Sequence, residues 1–119
     1  MEVTKEQIAR GLSKFIQNDV APNISDKATQ IVLEIAAAAV MTNTKLLDSV
    51  LDNAFFAMLA KTETGYNLST LKQSAMAAMN KVGNLTITIP GIKFISPDEK
   101  ILQFNGEDVK RLVETIEGS

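Results

Sequence analysis

Asp48 and Asp52 stand four residues apart, with Lys45 a turn earlier, so on a helix both carboxylates share one face. Carboxylates at that spacing can bind a divalent cation or share a proton. It is equally the spacing of an ordinary solvated helix face. No third oxygen-rich element is aimed at the pair, so the solvated face is the expected reading. Glu34 is the sharper oddity, because it is the single charge in the run IVLEIAAAAVM, Ile31 to Met41. Buried without a partner, such a carboxylate would cost on the order of several kcal/mol. Either it faces a partner or ligand, or it lies on the helix's one exposed strip or pairs with a base such as Arg10 or Lys14. The second account is the simpler.

Beyond these acids the inventory of reactive groups is short. There is no cysteine and no histidine, which removes disulfides, thiolate nucleophiles, the usual structural zinc sites and the Ser-His-Asp triad. No GxxxxGK[ST] or GxGxxG loop is present, and Pro90-Gly91 and Asn105-Gly106 read as turn and cap residues. The expectation is therefore no enzyme, no cofactor and no metal. Twelve basic residues against fourteen acidic ones give a net charge of -2, and only Lys110–Arg111 are adjacent. A protein that neutralises phosphates clusters its Lys and Arg, so nucleic acid is not an expected partner. The turn at Thr42–Thr44 has the length of a helix-turn-helix turn. The stretch after it, however, sets Lys45 against Asp48 and Asp52, with no base-reading fork at its start.

Helices must carry most of these residues. Thr4 and Gln7 have capping-box spacing, and Ile8, Leu12, Phe15, Ile16 and Val20 recur at helical intervals, which predicts a helix over 4–20 ended by Pro22. Gly11 inside it costs about 1 kcal/mol relative to Ala and marks a close helix contact. A second helix over 26–41, capped by Ser25 or Asp26, contains the apolar run. A segment apolar nearly all round is covered by protein on most sides, and this one is too short to span a bilayer, which takes about 20 residues. It reads as the central helix of a small helical core or as a helix that finishes its burial in a partner subunit. A third helix over 45–60 follows a break at Thr42–Thr44, unless the two join as one kinked rod. Phe56 falls off the centre of its apolar face and is expected at the surface. The KTETGYN segment is a loop, and a fourth helix over 69–82 ends at Gly83 as a left-handed cap.

After Gly83 the period drops to two. Leu85-Thr86-Ile87-Thr88-Ile89 alternates as a half-buried strand, with further strands expected over 92–95 and 100–104 and a closing helix over 106–117. The fold class expected is α+β and mainly helical, a single domain over 1–119. It would be a four-helix bundle followed by a small antiparallel hairpin or three-stranded sheet and a C-terminal helix. The opening MEVTKEQIARG is charged and amphipathic, unlike a secretory signal, so an intracellular setting is expected, with no membrane partner.

The residues left for function are surface candidates. Tyr66 can anchor a partner or staple its loop onto the fourth helix. Met76, beside Ala77 and Ala78, is the best candidate for an exposed small-residue contact face, although methionines at these spacings mostly fill core gaps. Leu85 and Ile87 lie on a strand that can pair edge to edge across a subunit boundary. With Glu34 and Phe56 they make the candidate interaction surface.

Two segments, ARGLSKFIQNDVAP and TITIPGI…FNGEDVKRLVETI, resemble parts of small proteins encoded within bacterial phages and prophages. The resemblance covers about half of the chain, at its two ends, and transfers no functional residue. It implies a phage-encoded protein in the cytoplasm of a bacterial host, with incorporation into the particle an open alternative. The expected function is a non-enzymatic structural or assembly protein that self-associates. The alternatives are a regulatory module docking on a host or phage protein, and a small enzyme using Asp48, Asp52 or Glu34.

Overall fold

The computed structural model describes residues 2–52, 56, 60–89, 91 and 98–119. The elements run β1 (Glu2–Val3), α1 (Lys5–Phe15), α2 (Lys27–Thr42), α3 (Thr44–Leu51), β2 (Ala60–Lys61), β3 (Tyr66–Asn67), α4 (Leu68–Val82), β4 (Leu85–Ile89), β5 (Lys100–Phe104) and α5 (Gly106–Glu117). The protein is mainly helical, with two small antiparallel sheets.

Local chemistry fixes most boundaries. The capping box forms at Thr4: its hydroxyl accepts from the Gln7 amide at 3.1 Å, and Gln7 Oε1 accepts from the Thr4 amide at 3.0 Å. Two of the orphan amides at the start of α1 are thereby satisfied. The α-helical part ends at Phe15. The chain then continues as a π turn, Ile16–Val20, and a 3-10 turn, Ala21–Asn23, into which Pro22 fits. Asp26 caps α2, and Asn105 caps α5 in a second capping box with Asp108. Gly83 ends α4 at φ 84°, in the left-handed region that favours glycine.

α2 and α3 are separate helices. Asn43 closes one and caps the other, its side chain accepting from the Leu46 amide at 3.2 Å, and the axes bend by 106° there. α3 stops at Leu51, short of the expected 60. Asp52 is a poor helix continuer, and Ala60–Lys61 is drawn into extended pairing with Tyr66–Asn67 across a turn closed by Thr62 N–H to Gly65 O at 2.8 Å. Tyr66–Asn67 also pairs with Glu2–Val3, which makes a three-stranded sheet, β1-β3-β2, assembled from two-residue strands and distinct from the sheet expected after Gly83. β4 and β5 form a two-stranded sheet with Ile87 opposite Leu102 and Thr88 opposite Ile101. The strand expected over 92–95 lies outside the described residues.

α1 packs against both α2 and α5, and α4 packs against α5. A Cβ on Gly11 would lie 2.5 Å from Ile116 Cα, so the α1 and α5 backbones approach as closely as glycine allows. Ile8, Leu12, Phe15 and Ile16 of the first helical stretch, Leu112 and Ile116 of α5, and Ile87 and Ile89 of β4 are all buried. Phe15 meets Phe104 of β5 edge to face, with centroids 5.4 Å apart. Each such side chain contributes about 1.5–3 kcal/mol of transfer free energy, and together they join sheet to helices. No helix among the described residues is long and apolar enough to cross a membrane; α2 and α3 are so only together, across their bend.

Candidate interaction surface

The acids disperse rather than converge. Asp48 accepts an ion pair from Lys5, which ties α3 to the first turn of α1; that hydrogen bond, chiefly, holds the lysine above its ordinary range. Asp52 is exposed at the end of α3. No group of three or more metal-binding side chains occurs among the described residues. Glu34 lies on the exposed strip of α2 and makes no ion pair among those residues.

The candidate surface residues divide. Phe56 is 2% exposed and Ile87 is fully buried, both within the main core. The expected exposure of Phe56 is corrected: α3 ends at Leu51, so a surface position read from a helix continued to 60 does not apply to this ring. Ile87 points to the inner face of the β4–β5 sheet opposite Leu102, so its side chain offers nothing to a partner. The side chain of Leu85 lies outside the described residues. Tyr66 is half-buried and packs on the core, in the manner of a staple. Met76 is 38% exposed and lines a groove of about 430 Å³ between α4 and the start of α5, with Lys72, Asn105, Gly106, Glu107 and Lys110.

Larger exposed apolar side chains sit elsewhere: Ile31 at 45% and Met41 at 52% on α2, and Ile101 at 62% on the outer face of β5. The sequence reading missed these. In a helix apolar nearly all round the pattern does not say which side is left open, and only the positions of α1 and α3 decide it. The α2 core residues are Leu33, Ala36, Ala37 and Val40. Opposite them the strip Ile31, Glu34, Ala38 and Met41 faces solvent. At its C-terminal end this strip opens into a groove of about 340 Å³ between α1 and the α2–α3 corner, lined by Lys5, Glu6, Ala9, Arg10, Val40, Met41, Thr44 and Leu47. Ala9, Val40 and Leu47 give it an apolar floor, and Lys5, Glu6 and Arg10 a charged rim. A third groove of about 290 Å³ runs beside β5, where Ile101 and Ile24 meet the Asp108–Arg111 ion pair.

These features present apolar area rimmed by charge, the form of a protein-binding patch. Set against protein-family models, curated proteins and solved structures, the chain matches none.

Proposed function

We propose that this chain is a non-enzymatic interaction protein that associates with copies of itself, serving as a structural or assembly component of a bacterial phage or prophage. The observation that carries self-association is the open apolar strip of α2, where Ile31 and Met41 stand about half exposed on either side of Ala38. The phage setting, in the host cytoplasm or in the particle, rests on the resemblance of the two end segments. Full burial of a large apolar side chain is worth about 1.5–3 kcal/mol. Half of that for two residues on each of two copies gives about 3–6 kcal/mol, against an association cost that starts near about 4 kcal/mol. The strip therefore supports a weak pair, which forms where copies are concentrated, as within an assembly.

Light scattering after size exclusion, over a hundredfold range of concentration, tests this. A mass that rises to a defined oligomer supports the reading, and a monomer throughout overturns it. A second reading, a regulatory module docking on a host or phage protein, draws on the groove at Met76. Its apolar floor between Lys72 and Lys110 suits an acidic partner segment. On that reading the chain is monomeric and is absent from purified particles.

A further inference from the structure

Besides Lys27, Ala28 and Thr42 at its ends, the exposed residues of α2 fall at 31, 34, 38 and 41, the alternating three- and four-residue spacing of a coiled-coil seam. Resting on the self-association proposed above, we infer that the occupant of this seam is a second copy of the same helix, laid antiparallel about a two-fold axis. In that arrangement each layer pairs residues whose numbers sum to the same value. Ile31 packs beside Met41 of the other copy, and Glu34 lies opposite Ala38.

Charge selects this direction. A parallel pair would set Glu34 against Glu34, two carboxylates in one layer of an apolar seam, at a cost that the antiparallel pair avoids. The antiparallel layer places each Glu34 over a small residue and one helical turn from the other copy's Met41. Arg10 shares the groove at Met41. It is exposed and, like Glu34, makes no ion pair among the described residues. Two symmetric Glu34–Arg10 pairs therefore close the seam, as an isologous interface requires. Ala38 allows close approach of the two helices at the layers that hold the acids.

The chain has no cysteine of its own, so introduced thiols report the arrangement directly. Ile31→Cys and Met41→Cys change exposed side chains and leave the core intact. Mixed and mildly oxidised at a concentration where the mass has doubled, they form the mixed disulfide, while neither variant alone links to itself. A self-link of I31C, or a doubled mass with no link, overturns the antiparallel seam and leaves self-association standing. A monomeric mass throughout overturns both. Independently, R10E and E34R each weaken the pair by about 3- to 10-fold, and the double variant restores it. Charge reversals that weaken it additively contradict the ion pairing.

Discussion

α1 and α2 lie side by side, yet their outer surfaces have opposite fates. α1 keeps its apolar residues on one face, and that face is closed by α2 on one flank and by α5 on the other. α2 is apolar nearly all round, and only the side bearing Leu33, Ala36, Ala37 and Val40 is covered. A sealed contact is recognised by what it excludes, as at Gly11, where a methyl group would collide with the Ile116 backbone. An open one is recognised by what it leaves exposed, as at Ile31 and Met41. The difference separates residues that hold the fold from residues available for function.

Substitutions on the sealed side should have the largest effect. Phe15→Ala removes a fully buried ring and its contact with Phe104, and the expected loss of unfolding free energy is about 3–5 kcal/mol, read by urea denaturation. Gly11→Ala gains about 1 kcal/mol in helix propensity but forces α1 away from backbone atoms of α5. The expected net result is destabilisation, within the roughly 1–3 kcal/mol typical of overpacking, measured in the same way. A neutral or stabilising outcome would mean that this seam is not sealed. Asn105→Ala removes a reciprocal cap from α5 and should cost about 1 kcal/mol. The smallest effect is on pH dependence. Asp26 is held below its usual 3.8 chiefly by the Thr29 hydroxyl. Its contribution is present above 3.8 and is lost as pH falls through the lower, folded value. The thermal midpoint of Asp26→Asn should therefore fall less steeply on acidification than that of the native chain.

What was legible in the sequence was local. The alternation of Leu85–Ile89 and the Asn105–Asp108 cap each reside in a few consecutive residues, and β4 and α5 occupy the spans that those signals mark. Gly11 as a close helix contact was legible for the same reason, since a lone glycine in an amphipathic helix has few other uses. The three-stranded sheet was not legible, because Glu2–Val3, Ala60–Lys61 and Tyr66–Asn67 are too short to show a period and are held by long-range pairing. Phe56 was misplaced because the apolar stripe of α3 was carried past Asp52, where the helix has already ended. The open side of α2 was hidden by its uniformity: Ile31 and Leu33 are alike in type, and tertiary packing alone leaves the first half exposed and the second fully buried.

The most direct measurement is sedimentation equilibrium of the native chain beside the double variant Ile31→Ser/Met41→Ser, at matched concentrations into the hundreds of micromolar. Both positions are exposed, so thermal unfolding of the dilute variant should change by no more than about 0.5 kcal/mol. The account predicts that the native chain gains mass with concentration and that the variant stays monomeric. Equal association of the two would contradict it, and would place the interface away from α2.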